Sequence, residues 1–282
     1  VLMADLTEPE RRFKVFSMRY LMANVGVSVG PLIGVWLGTG HGALSFLVTG
    51  SIYLLYGAVL YFMMVSFGIK EIESAKKERV TIASAWQAVR RDSVLKTFIA
   101  GAIVVGIGYS QLTITLSQHL ASSFANGVKW FALLMSINAA TVILLQLPLT
   151  RFTEKRHPIL SIHAGNAFFA LGLIGFGWSP NMTMLIVSMV VFTVGEILNY
   201  PAGNLLLDRL APENLRGAYF GAQTFGNLGQ FIGPWLGGWL LGLTSGGVMF
   251  SVVAIVMMTA SLFYRAGNRR FPQHERIFQQ NI

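Results

Sequence analysis

The chain has 282 residues, of which 54% are hydrophobic and only 12% are charged, and its formal net charge is +9. Soluble domains carry about 25% charged residues, so this composition excludes an ordinary water-soluble protein. The absence of cysteine excludes disulfide bonds and cysteine metal sites within these residues.

Long stretches without Asp, Glu, Lys or Arg predict membrane-spanning helices. About 20 mostly apolar residues cross a bilayer, and the stretches 20–69 and 217–264 are each long enough for two crossings joined by a turn. Glycine-rich and proline-containing turns divide these stretches. We therefore expect eight spans, near residues 14–37, 45–68, 95–117, 128–150, 158–178, 182–206, 217–241 and 247–264.

The basic residues predict how these spans are oriented. They cluster in alternate loops, and the opposite loops hold a single base, Lys129. Loops rich in Lys and Arg stay in the cytoplasm, so both termini are expected there, in a multi-pass protein of a bacterial inner membrane. The net charge of +9 belongs to this pattern, and no nucleic-acid partner is expected.

An internal repeat relates the first predicted span to the seventh. Residues 5–37 and 208–240 share 10 identities in 33 positions without a gap, including Asp5 with Asp208, a Gly-Pro pair and a Trp-Leu pair. A parallel repeat of six-span halves is a known transporter architecture, with the substrate between the halves. On this pattern four spans of the first half are missing, so we expect a chain truncated at its N-terminus.

One repeated stretch resembles a motif of a known family. Gly26-x-x-x-Gly30-Pro31-x-x-Gly34 resembles the antiporter motif on the fifth helix of major facilitator drug exporters, although Val35 stands where the family pattern ends in a second glycine. The repeat copy of this motif is complete, with Gly229, Gly233, Pro234, Gly237 and Gly238. The resemblance implies an all-α membrane bundle whose eight spans correspond to family helices 5–12.

The resemblance also implies how the chain is divided. Residues 1–69 are expected to be the remainder of an N-terminal helical half, 70–94 a cytoplasmic central loop, 95–264 a complete six-helix half, and 265–282 a cytoplasmic tail. Within the central loop, the Ser84–Val89 stretch is expected to form a surface helix. A full-length protein of this kind is expected to be a monomer.

The repeated glycines and prolines also have a physical role of their own. Glycines four residues apart line one helix face and let another backbone approach closely. A proline removes one backbone hydrogen bond and bends the helix. The motif therefore favours either a joint between two rocking halves or static packing. Asn24 and its repeat partner Asn227 are expected to form hydrogen bonds between helices.

One acidic residue, Glu196, lies well inside a predicted span. An ionised group at the bilayer centre costs at least ~2.5–3.5 kcal/mol on insertion scales, so such an acid is usually functional or is kept neutral. Gly195-Glu196 with Pro201 resembles helix 10 of several proton-coupled drug exporters, and this implies a role for Glu196 in proton coupling or in binding cations. The alternative is a protonated Glu that only joins two helices.

Other polar residues inside the predicted spans are candidates for the same site. Arg19 lies about two turns into the first span, where it either takes part in a charge relay or snorkels to the cytoplasmic surface. Asn199 and Tyr200 follow Glu196 by three and four residues and are candidate hydrogen-bond partners on its face. The candidate cavity-lining residues are Asn199, Tyr200, Tyr109, Gln111 and Asn138.

Together these features predict a secondary transporter. The sequence has no phosphate-binding loop and no histidine pair at metal-ligand spacing, so we expect no enzyme, cofactor or metal. The leading hypothesis is proton-coupled efflux of small amphipathic or cationic compounds by alternating access, with lipid, the solute and protons as partners. The alternatives are a sugar or amino-acid transporter of the same fold and a non-transporting truncated remnant.

Overall fold

The computed structural model describes residues 7–36, 44–66, 81–212 and 215–279, and within these ranges the chain forms helices and turns without a β-strand. The α-helices are α1 (Arg12–Trp36), α2 (Leu44–Ser66), α3 (Ile82–Arg91), α4 (Ser93–Ser110), α5 (Thr115–Ser123), α6 (Gly127–Thr153), α7 (Pro158–Trp178), α8 (Met182–Leu210), α9 (Arg216–Ala222), α10 (Asn227–Leu243) and α11 (Gly246–Gln279). The start of the repeat at residue 5, the central-loop residues 70–80 and the end of the tail at 280–282 lie outside the described residues.

Six of the described helical segments are long and apolar enough to cross a membrane, so the protein is a multi-pass membrane protein. The α4 and α5 helices together form one of these segments, Ser93–Ser123. The first and seventh predicted spans are helical but are not among the six. For the seventh, the reason is length, because α10 has only 17 residues and a 3₁₀ turn, Gln223–Gly226, separates it from α9.

Capping side chains explain where several helices begin. Thr81 and Ser84 form a reciprocal capping box at the start of α3. The α3 helix includes the Ser84–Val89 stretch, which confirms the helix predicted there. Asp92 accepts hydrogen bonds from the backbone N–H groups of Val94 and Leu95 and starts α4. Asn181 caps α8 in the same way.

The packed part of the molecule is built around α7 and α8. The α11 helix lies against α7 and α4, α10 lies against α4, and α6 lies against α8. Large apolar side chains with no exposed surface fill this core: Phe169, Leu173, Phe176, Met189, Phe192 and Phe250. The α1 helix contacts α6 and α8, where Leu21, Val142 and Ile197 form a smaller apolar cluster.

Two of the predicted crossings are interrupted rather than continuous. A turn over residues 111–114 separates α4 from α5, and the 3₁₀ turn Gln223–Gly226 separates α9 from α10. Backbone groups freed by such breaks need other partners inside a membrane. At the first break the side chain of Gln111 supplies them, because its Nε2 donates to the carbonyl oxygens of Ile107 at 2.8 Å and of Gly233 at 2.9 Å.

Candidate functional site

Glu196 of α8 is 2% exposed and is held by two other helices. The hydroxyl of Tyr109, on α4, donates to Oε1 at 3.0 Å. The amide of Asn138, on α6, donates from Nδ2 to Oε2 at 2.9 Å. Each carboxyl oxygen therefore accepts a hydrogen bond from a different helix, so the carboxyl joins α4, α6 and α8 at one point.

Thr193 fixes which way the Asn138 amide points. The Thr193 hydroxyl donates to the carbonyl oxygen of Met189 at 2.7 Å, so its oxygen is left to accept. Asn138 Nδ2 donates to that oxygen at 2.9 Å as well as to Glu196. Because only the NH₂ end of the amide can donate twice, the nitrogen and not the oxygen must face the carboxyl.

Three tyrosine rings surround the carboxyl. Tyr20 of α1 stacks on Tyr200 of α8 with ring centroids 5.6 Å apart, and Tyr109 meets Tyr200 edge-on at 5.3 Å. The Tyr20 hydroxyl lies near Glu196 and is buried, but it lacks a hydrogen bond of good geometry. A buried hydroxyl without a hydrogen-bond partner can form a hydrogen bond when its surroundings shift.

The two donors on Glu196 respond differently to a proton. An ionised carboxylate accepts from both Tyr109 and Asn138. When the carboxyl carries a proton, one neighbour must accept, and a tyrosine hydroxyl can do so whereas an amide nitrogen cannot. The arrangement therefore favours a proton on Oε1, the oxygen that faces Tyr109.

The predicted site residues are only partly brought together. Tyr109 and Asn138 contact Glu196, whereas the expected bond from Asn199 to Glu196 is not formed. Asn199 Nδ2 instead donates to Asn166 Oδ1 at 2.7 Å, because three residues further along α8 the side chain points to α7. Tyr200 faces the cluster with its ring.

Two other predicted residues lie away from the carboxyl. Gln111 has no exposed surface, and it braces the α4–α5 turn against α10 rather than lining a cavity. Arg19 is exposed on α1. Among the described residues, the bonds expected between helices from Asn24 and Asn227 are also absent: Asn24 donates to Tyr20 O of its own helix, and Asn227 is exposed.

The two copies of the glycine motif have different surroundings. A Cβ at Gly229, Gly233 or Gly237 would meet atoms of Ile103, of Ile107 and Ser110, or of Gln111, so α10 approaches the α4 backbone closely along this line. Gly26 has no atom within 4 Å of where a Cβ would lie. Gly30, Pro31 and Gly34 lie within α1, but their surroundings fall outside the described residues.

A buried ion pair joins α1 to the end of α8. Asp208 is 1% exposed in its side chain, and its Oδ2 lies 2.6 Å from Arg12 Nη1 of α1. Arg216 Nε lies 3.7 Å from the other oxygen. The same helices, α1 and α8, are thus in contact at Tyr20 and Tyr200 and again, about 12 Å further along α1, at this ion pair.

Sequence reasoning missed Tyr20, Thr193 and the role of Asp208. Thr193 carries a signal, since it lies one helical turn before Glu196 on the same face. Tyr20 carries no such signal, because its repeat partner, Gln223, is a different residue type. Asp208 lies near the end of a predicted span, where an acid is ordinary. Within the described ranges, no three His, Asp or Glu side chains come together as a metal site.

Comparison with known proteins decides the family. The sequence profile of the Major Facilitator Superfamily matches residues 1–227. The chain belongs to the major facilitator superfamily. Among relatives of this major facilitator chain, the "Uncharacterized MFS-type transporter YqjV" of Bacillus subtilis (strain 168) is 32% identical over 262 residues, which are 90% of this chain and 63% of that protein. The chain thus spans less than two thirds of that relative's length.

More distant matches also cover most of the chain. "Multidrug resistance protein MdtH" of Salmonella paratyphi B is 26% identical over 246 residues, which are 85% of this chain and 58% of that protein. The crystal structure of the human organic anion transporter MFSD10 (TETRAN) superposes with a TM-score of 0.68 at 15% identity, covering 93% of this major facilitator chain and 66% of that one. At that identity the likeness concerns the fold alone.

Proposed function

We propose that this major facilitator protein is a proton-coupled exporter of small amphipathic or cationic compounds that works by alternating access. Its eight spans correspond to family helices 5–12, it lies in a bacterial inner membrane with both termini in the cytoplasm, and it acts as a monomer when full length. The observation that carries this proposal is the buried Glu196 carboxyl, which accepts hydrogen bonds from Tyr109 and Asn138.

Glu196 takes up and releases the transported proton. Burying an ionised carboxylate is costly, and the two hydrogen bonds offset part of that cost. The Glu196 carboxyl can therefore exist in both its ionised and its protonated state. Proton uptake changes Tyr109 from donor to acceptor. The Tyr109 O–H group, which no longer donates to the carboxyl, then needs a new acceptor. This requirement couples protonation of Glu196 to a rearrangement of the aromatic cluster.

The same carboxyl also attracts the positive charge of a substrate. An organic cation beside ionised Glu196 replaces the proton, and tyrosine rings favour such cations through their π-faces. A proton and a cation that compete for one carboxylate give exchange. The relation to a multidrug resistance protein supports this choice of substrate class.

The α1–α8 interface is the part that opens and closes. Tyr20 brings α1, from the first half, beside Glu196 in the second half, and Arg12 with Asp208 closes the same interface near its cytoplasmic end. Opening toward the cytoplasm separates that ion pair. The glycine line of α10 keeps α4 and α10 together as one rigid unit during this movement.

The test uses the full-length gene product in membrane vesicles with an imposed pH gradient. Glu196→Gln keeps the size and the hydrogen-bond acceptor of the side chain but cannot ionise. We expect it to lose pH-driven transport of a fluorescent cation such as ethidium by at least tenfold. The matched control is Glu154→Gln, which removes an exposed acid at the end of α6 and should transport normally.

Two results would contradict the proposal. One is a Glu196→Gln variant that couples as well as the parent. The other is an equal loss in both variants, which would indicate a general effect of acid removal. A parent protein that moves no cation under either direction of the gradient would refute the choice of substrate class.

A further inference from the structure

A cleft with four side-chain amides in its lining lies between α8 and α10, and the α4 residues Phe98, Ala102, Val105 and Gly106 form its floor. It encloses about 100 Å³. Side-chain amides from Asn199, Gln223, Asn227 and Gln230 line it together with the ring of Tyr200, and none of its lining residues is charged. Its chemistry therefore differs from that of the neighbouring carboxyl site.

The amides of this cleft have unused hydrogen-bonding capacity. Asn199 uses its NH₂ group on Asn166, and Gln223 donates to Asn204 Oδ1 at 2.9 Å. Asn227 and Gln230 are exposed, and no hydrogen bond joins their side chains to another described residue. Each primary amide offers two donors and one acceptor.

Such amides cannot face hydrocarbon without cost. An unpaired amide transferred to an apolar medium costs several kcal/mol, so this side of α10 faces water, a polar solute or polar groups of another helix, and not lipid. Another side of α10 carries large exposed apolar side chains, namely Phe231, Trp235 and Trp239, as a lipid-facing surface does. Within α10, Asn227 and Gln230 are three residues apart and are neighbours on the helix surface, and Gln223 lines the same cleft from the preceding 3₁₀ turn.

Two tyrosines connect the cleft to Glu196. Tyr200 lines the cleft, and its ring also contacts Tyr109, which donates to the carboxyl. In the internal repeat, Gln223 corresponds to Tyr20, which lies beside Glu196. Repeat-related positions on α1 and on the α9–α10 segment therefore face the same region of the molecule.

We propose that this amide cleft, formed by Asn199, Tyr200, Gln223, Asn227 and Gln230, binds the uncharged hydrogen-bonding part of the transported solute. This inference rests on the proposed export function. The solute has a cationic centre that lies toward Glu196 and amine, amide or hydroxyl groups that bind the amides. A site built to form hydrogen bonds discriminates against analogues that lack the matching groups.

The first experiment asks whether the cleft holds water. The 282 residues contain no cysteine, so single cysteines can be labelled without background from this part of the protein. In vesicles of both orientations, Gln230→Cys should react with a membrane-impermeant maleimide several-fold faster than Phe231→Cys, its neighbour on the lipid-facing side. Equal or reversed labelling overturns the proposal.

The second experiment asks what the cleft binds. Ethidium carries two exocyclic amines, whereas tetraphenylphosphonium is a cation without a hydrogen-bonding group. Replacing both Asn227 and Gln230 with Leu should weaken ethidium binding about five- to tenfold or more and leave tetraphenylphosphonium binding within about twofold. Retained binding of the second cation shows that the variant is folded. The control is Gln118→Leu, an exposed glutamine on α5, which should change neither.

The outcomes separate this inference from the proposed function. Equal losses of binding affinity for both cations, or no loss for either, contradict the proposal that the cleft binds the solute. If the parent binds neither cation, the proposed substrate class is wrong. The labelling experiment then tests the role of the cleft by itself. An unreactive Gln230→Cys refutes that role, and a reactive one supports it for another solute.

Discussion

The helices α2 and α8 are similarly apolar, yet their surroundings are opposite. No described side chain of α2 is buried, whereas more than half of the most apolar stretch of α8 is. The difference lies in the polar residues. On α8, Thr193, Glu196, Asn199, Asn204 and Asp208 each contact another part of the chain, with partners on α4, α6, α7, the Gln223–Gly226 turn and α1.

This comparison shows what each kind of sequence signal can report. Apolar length indicates that a helix crosses the membrane, because lipid accepts any apolar side chain. It does not indicate the packing partner, because lipid tails are as apolar as a neighbouring helix. Polar and small residues indicate that partner, since only another protein group or water satisfies them.

The largest expected effect tests whether α1 belongs with the packed helices or with α2. Asp208→Asn removes the buried charge that the mostly buried Arg12 and Arg216 face at this point, and removing one partner of a buried ion pair costs about 3–5 kcal/mol. We expect a clear fall in melting temperature in detergent. Glu8→Gln, which breaks an exposed pair with Arg11, should change stability by less than about 1 kcal/mol. Equal effects would place α1 outside the packed unit.

A smaller effect compares the same substitution in the two regions. Gly229→Ala puts a Cβ against the backbone of Ile103, and overpacking of this kind costs about 1–3 kcal/mol. Gly57→Ala on α2 meets open space, so stability should be unchanged or rise by up to about 1 kcal/mol. Thermal unfolding of both variants measures whether each substitution lowers or raises the stability. Gly238→Ala on α10 is the control within the helix, because nothing lies within 4 Å there. Destabilisation of the same size at all three positions would contradict the comparison.

The smallest effect concerns pH at a polar end of the packed region. Burial and the nearby Arg209 lower the pKa of His157 from its usual 6.5. A lowered pKa means that the folded protein prefers neutral His157, so its contribution is present above about pH 6.5 and is lost as the pH falls through the lowered value. Protonation also removes the Nδ1 acceptor for the Ile159 N–H at the start of α7.

His157→Asn keeps a capping acceptor but does not titrate. Its melting temperature should therefore fall less between pH 8 and pH 5 than that of the parent. An identical pH dependence in the two proteins would show that His157 makes no such contribution.

Much of the fold and the centre of the site were predictable from the sequence. The helical stretches followed from apolar length and turn residues, and the surface helix α3 lies where expected. Glu196 stood out because an acid inside a span is costly. Its partners Tyr109 and Asn138 were singled out as polar interruptions of apolar spans, although their contact with Glu196 was not.

The rest depended on information that a linear pattern does not hold. Which way Asn199 points depends on the angle at which α7 meets α8, and this angle is set by packing across the whole bundle. Gln111 was expected to line a cavity because polar residues in spans often do, but the break after α4 gave it backbone partners instead. Asp208 gave no signal because its partner Arg12 is 196 residues away.

The break between α4 and α5 gives one crossing a joint. Tyr109 lies just before this joint and Thr115 just after it, and the two pieces are linked by four residues that are not helical. In the proposed transport cycle, α5 can tilt while α4 keeps Tyr109 hydrogen-bonded to Glu196, so one end of this segment can move without disturbing the carboxyl. The amide of Gln111, tied to Gly233, sets the resistance to that tilt.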